Sequence, residues 1–155
     1  MTAQNKNIQK GFTLIELLVV IGILAILLAI TLIAINPARQ FGQANDTKRR
    51  SDANAILNAV GQYSASNTGN LPGEVATAST SAVEIDSTNF PNLCTAIVPT
   101  YIPALPADPT KNNQAGISNC ATTPWDTGYQ ISKDANNRIT VSAPNAYAGP
   151  IQVTR

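Results

Sequence analysis

Residues 9–20 read QKGFTLIELLVV. A Lys-Gly pair, Lys10 and Gly11, runs straight into an apolar segment that holds one carboxylate, Glu16. The segment continues to Ile35 and is interrupted only by Thr13, Glu16, Gly22 and Thr31. A helix needs about 20 predominantly apolar residues to cross a bilayer, so Phe12 to Ile35 is long enough to span one. An acidic side chain within such a span costs about 3 kcal/mol on insertion scales, and Glu16 therefore calls for a partner. Beyond Asn36 the chain turns polar, rich in Asn, Ser, Thr, Ala and Pro. One membrane segment followed by one soluble domain is the simplest division.

Composition narrows the chemistry. The 155 residues carry a formal charge of +1, and only 12% are charged. No dense basic patch is available to neutralise phosphates, so no nucleic-acid specificity is expected. The one basic cluster, Lys48-Arg49-Arg50, is flanked by Asp46 and Asp52 and reads as a solvated helix face. There is no histidine, which removes the commonest general base, the commonest metal ligand and any Ser-His or Cys-His nucleophile pair. Phosphate-binding glycine loops, C-x-x-C pairs and G-x-S-x-G elbows are missing as well. No catalytic residue, metal or cofactor is assigned, and an enzyme is not expected.

Three readings compete for the N-terminus. A cleaved secretory signal has a shorter apolar core and ends in a small-residue site, whereas this run is long, carries Glu16 and ends in IAINPARQ. An uncleaved signal anchor fits the length, with Lys6 and Lys10 holding the N-terminus in the cytoplasm. It leaves Glu16 unexplained. The third reading rests on KGFTLIE, where Lys10, Gly11, Phe12 and Glu16 match residue by residue the processing site of type IV pilins and pseudopilins, which this chain resembles.

That resemblance implies a prepilin peptidase that cuts between Gly11 and Phe12 on the cytoplasmic side and methylates the new Phe12 amine. Gly11 presents no side chain to a protease and permits an extended backbone. Cleavage places a positive amine at the edge of the apolar run, and methylation keeps the charge. Phe12 and Glu16 stand four apart on one helix face, so a contact within the chain is open. The resemblance implies instead that Glu16 pairs with the Phe12 amine of a neighbouring subunit during assembly. Snorkelling of Glu16 to the headgroups is the bland alternative, because it lies within about one turn of the helix end.

Helical character continues past the membrane run. Ala53, Ile56, Leu57 and Val60 recur at helix spacing, with Tyr63 and Ser64 completing the turn, and Asn67 and Gly69 supply stop signals. A single helix of roughly 55 residues, about 80 Å long, is predicted, apolar all round in its first half and striped in its second. Pro37 and Gly22 are its weak points, so a kink or unwound stretch is expected between them.

Residues 68–92 read as a solvated loop, and the four prolines of IVPTYIPALPADPT exclude a helix interior there. Tyr101, Leu105 and LPADP resemble a segment of major pseudopilins and related pilins. GYQISK and RITVSA alternate as strands around a DANN turn, and PIQVT could add a third. An antiparallel sheet packed on the helix stripe would bury both apolar faces. Cys94 and Cys120 are expected to form a disulfide if the head lies outside the cytoplasm, two free thiols being the alternative. Asp108, Asp126 and Asp134 stand in ordinary turn contexts, and no metal site is assigned to them.

The expected fold is α+β, a long N-terminal helix packed against a small antiparallel sheet, as in type IV pilins. The expected divisions are a leader at 1–11, a membrane or filament-core helix at 12–35, an amphipathic helix at 36–67 and a head at 68–155. The leading functional reading is a structural subunit that polymerises with itself into a type IV pilus filament. The resemblance implies a prepilin peptidase, an assembly platform and a separate ATPase as partners. It also implies storage as a single-pass cytoplasmic membrane protein, then export into an extracellular filament or a periplasmic pseudopilus. The alternatives are a major pseudopilin of a type II secretion or DNA-uptake system, and a membrane-anchored domain that never polymerises.

Overall fold

The computed structural model describes residues 11–111, 115–122 and 124–155. Lys6, Lys10 and the rest of the leader before Gly11 lie outside them. In chain order the elements are α1 (Leu14–Ile35), α2 (Pro37–Ser66), α3 (Gly73–Ala76), β1 (Val83–Asp86), α4 (Leu93–Ile97), β2 (Asp126–Lys133), β3 (Ile139–Ala143) and β4 (Ile151–Thr154). This is the expected α+β arrangement. The chain divides into two compact units, one reaching Gln40 and the other running from Phe41 to Arg155.

In the first unit, none of the 22 residues of α1 is buried. At 1.5 Å per residue it is about 33 Å long, close to the thickness of a bilayer's hydrocarbon core. An apolar surface on which no described residue is buried calls for lipid or other chains to cover it. Gly22 does not interrupt the helix. The break comes at Asn36, whose φ of 44° and ψ of 78° place it in the left-handed region. Asn tolerates that conformation better than most residues, and Pro37 disfavours helical backbone just before it. Pro37 then opens α2 at the first helical position, where its missing N–H costs nothing. The Asn36 side chain accepts the Arg39 N–H at 3.3 Å, starting the second helix. The single helix of roughly 55 residues is therefore two helices, divided at the far end of the expected window.

In the second unit, α2 buries Ala53, Ile56, Leu57, Ala59 and Val60, the stripe that the periodicity marks, together with Arg49. They share one core with the inward residues of a four-stranded antiparallel sheet of order β1-β2-β3-β4. Register aligns Ile131 with Val141, and Val141 with Val153, so like faces meet. Phe90, Leu93, Ile97, Leu105 and Tyr129 complete the centre. The DANN turn closes on Asp134, whose Oδ1 accepts the Asn136 and Arg138 N–H groups at 2.8 Å each.

The stretch 68–92 is not the loop expected of it, since it contains α3 and β1. VEID offers one buried residue, Ile85, in four, too little alternation to stand out among serines and threonines. Pairing of Val83 with Ile131 and Glu84 with Gln130 makes it a strand. Tertiary context overrides a weak local signal there.

Candidate functional site

The N-terminal site is built on three residues before α1 and one in its first turn. Gly11 and Phe12 are exposed, Phe12 at 92%. A Cβ added to Gly11 would meet nothing within 4 Å among the described residues. Thr13 is the N-cap, extended at φ −82° and ψ 154°. Its hydroxyl accepts the Glu16 N–H at 3.3 Å, and Glu16 Oε2 accepts the Thr13 N–H at 2.8 Å and the Thr13 hydroxyl at 2.7 Å. This reciprocal pattern is a capping box, which satisfies backbone donors that the helix start would otherwise leave bare.

Glu16 thus has a local partner, Thr13, and the Phe12 nitrogen of this chain is a peptide amide. All three hydrogen bonds engage Oε2 or the Thr13 hydroxyl, and Oε1 accepts none among the described residues. Phe12 and Glu16 are not joined by a hydrogen bond. The signal that sequence reasoning passed over is Thr13-Leu14-Ile15-Glu16, an S/T-x-x-E pattern placed directly before an apolar run.

The head is held by polar groups that pair with one another. Cys94 and Cys120 form a disulfide, with Cα atoms 5.5 Å apart. Arg49 corrects the reading of Lys48-Arg49-Arg50 as a solvated face. Its side chain is 3% exposed, because Asp108 and Asp46 meet it from inside. Burial pushes the Asp108 carboxyl up, but hydrogen bonds from Arg49 and Thr110 outweigh it and hold the group below its usual range. Asp126 pairs with Lys111 and accepts the Gly128 N–H at 2.7 Å, while Asp134 pairs with Arg138 at 2.7 Å. Tyr129 donates its hydroxyl proton to Asp52 at 2.9 Å, and burial, then that carboxylate, pushes the phenol well above its usual value. Among the described residues no three His, Cys, Asp or Glu side chains gather in a way that could hold a metal ion.

Residues 6–32 match the prokaryotic N-terminal methylation motif, the signal of type IV prepilins and pseudopilins. The match takes in Gly11, Phe12, the capping box and most of α1, and it ends before the head. Neither a curated protein nor a solved structure matches the chain. A motif of this kind implies processing by a prepilin peptidase and points to a structural protein with a membrane-anchored precursor.

Proposed function

We propose that this chain is the precursor of a structural subunit of a type IV pilus-like filament. The observation that carries this reading is the methylation motif at 6–32, continuous with a helix of spanning length and composition in which no residue is buried. The peptidase cuts between Gly11 and Phe12 and methylates the Phe12 amine, releasing the leader 1–11. The apolar helix, 12–35, is stored in the membrane and then leaves it to bundle with copies of itself. Residues 36–67 and the head 68–155 face outward from that bundle. Extraction from the membrane is driven by separate machinery, an assembly platform with its own ATPase.

Glu16 has two partners in succession on this reading. Thr13 holds it through one oxygen before assembly, and its other oxygen receives the methylated amine of Phe12 on the next subunit. A charged pair excluded from water is stronger than either hydrogen bond alone. The mass of the mature N-terminus tests the processing step. A species beginning at methylated Phe12 is expected, whereas an intact leader would leave only a membrane-anchored domain. Glu16→Ala subunits are expected to be processed yet fail to assemble, and normal filaments from them would remove the pairing role.

A periplasmic pseudopilus of a secretion or DNA-uptake system is the second reading, favoured by LPADP, residues 105–109. Micrographs separate the two, since a pilus extends from the cell surface and a pseudopilus does not.

A further inference from the structure

An amine and two carboxyls meet at the start of β2, outside the motif at 6–32. Lys111 Nζ contacts Asp126 Oδ2, and Glu84 Oε1 of β1 lies 3.7 Å from the same nitrogen. The lysine is held in place from its backbone outward. Its N–H donates to the Asp108 carbonyl at 2.8 Å, and the Asp108 N–H donates to the Thr127 carbonyl of β2 at 2.7 Å. Its stem lies over Gly128, which sits at a φ of 73°, and a Cβ there would stand 3.2 Å from Lys111 Cγ. Gly128 also donates its N–H to Asp126 Oδ1 at 2.7 Å. One oxygen of Asp126 is therefore held by a backbone donor while the other lies against the amine.

These are the parts of an acyl transfer: a nucleophile, an electrophilic carbon, a donor for the developing oxyanion and a proton relay. We infer that Lys111 and Asp126 condense to an isopeptide bond, with Glu84 relaying the proton. Nζ bonds to Asp126 Cγ, and the Cγ–Oδ2 bond breaks. Oδ2 leaves as water, both of whose protons come from the ammonium, and Glu84 ends as it began. An ammonium and a carboxylate become an amide and water, with no other reactant. While the tetrahedral centre stands, the Gly128 N–H faces the negative Oδ1. The fold supplies what condensation lacks in free solution, since well-oriented groups reach effective molarities of about 10⁵ M or more.

Charge assigns the roles. Burial, and then the Asp126 charge, push the Glu84 carboxyl up, with Asp86 adding a further negative group on the same strand. Asp126 stays below its usual range despite burial, chiefly through the Lys111 hydrogen bond. Glu84 is thus the carboxyl that takes up a proton, and a hydrogen bond shares it with Asp126, where it lets Oδ2 leave. The Asp126 hydrogen bond pushes the Lys111 amine up, so free amine is scarce and the bond forms slowly. Once formed, the bond closes 111–126, the stretch that holds Cys120. The inference concerns the head alone and does not rest on filament assembly.

A peptide map tests it. Full-length chain is purified, incubated for days at neutral and at mildly alkaline pH, reduced and cut with trypsin. Cuts after Arg50, Lys111 and Lys133 of the unlinked chain give peptides 51–111 and 112–133. The bond protects Lys111, so one peptide, 51–133, lighter by one water, is expected. Separate peptides of full mass would overturn the inference. So would loss of water within 112–133 while Lys111 is still cut, which marks cyclisation of an aspartate alone. Lys111→Arg keeps the ion pair and should give full-mass peptides only. Glu84→Gln should slow bond formation about 100-fold or more, and an unchanged rate would overturn the relay. The wild-type map decides the bond even where a variant fails to fold.

Discussion

Arg49 Nε donates to Asp108 Oδ2 at 2.7 Å while Nη2 donates to Oδ1 at 3.0 Å, joining residues 59 apart in sequence. The pair is buried and fully occupied, since Oδ1 also accepts the Thr110 N–H and hydroxyl. Removing one member leaves a buried charge without its counterpart, which costs about 3–5 kcal/mol. Arg49→Met, which strands the buried Asp108 carboxylate, is expected to lose that much in urea unfolding followed through Trp125. The double change Arg49→Met with Asp108→Leu, which leaves Asp46 its Tyr147 and Ala148 amide donors, is expected to recover most of it. Equal losses from the single and the double variant would mean the pair itself supplies the stability.

Acid unfolding should follow from the same region. Burial pushes the Asp46 carboxyl up as it does that of Asp108, but the Ala148 and Tyr147 amides and Arg49 together hold it below its usual range. A depressed carboxyl stabilises the fold at every pH above the unfolded value, about 3.9, and that stability drains as pH falls through the folded value. The melting temperature should therefore be level from neutral pH to about pH 5 and fall below about pH 4. Asp108→Asn should flatten the fall. Loss of stability already near pH 6 would point to other groups.

Gly42 and Tyr147 should behave as one unit. In an exposed helix Gly→Ala ordinarily stabilises by about 1 kcal/mol. Here the new methyl would collide with the ring, so Gly42→Ala is expected to be neutral or destabilising. In a Tyr147→Ala background the same change should regain its ordinary benefit. Additive effects would show that the ring moves aside without cost.

Thr13 carries the capping box. Thr13→Val keeps the shape and removes the hydroxyl, at a cost of about 1 kcal/mol to the helix start. Faster amide exchange in the first turn of α1, in bilayers, is the expected readout, and Thr13→Ser should restore protection. Unchanged exchange in the valine variant would show that Glu16 caps the helix unaided.

Much of this molecule is written in local pattern. The apolar run to Ile35 declares its helix by its length, and the stripe Ala53, Ile56, Leu57 and Val60 by the period that burial imposes on it. GYQISK, RITVSA and PIQVT declare strands for the same reason. Asn36 was within the expected window of interruption, though only the geometry distinguishes it from Gly22, a glycine that a helix tolerates. β1 and the burial of Arg49 were not legible, because each depends on a partner distant in the chain: β2 for the strand, Asp108 for the guanidinium. The motif at 6–32 was legible from Gly11, Phe12 and Glu16, whereas Thr13 passed as one more polar interruption until its hydroxyl was seen to face Glu16.

The bridge between Cys94 and Cys120 also changes the topology the folding chain must solve. β2, β3 and β4 follow one another through short turns, but β1 and β2 are separated by about 40 residues. The bridge spans 26 positions of that connection, so the shortest covalent path between the two strands shrinks to about 14 residues. Loop closure grows with the logarithm of length, and shortening of this size lowers its entropic cost by about 1 kcal/mol. Once oxidised, the long-range pairing of β1 becomes nearly as local as its neighbours. The sheet then assembles as a simple meander, with β1 favoured by about that amount where an oxidising compartment sustains the bridge.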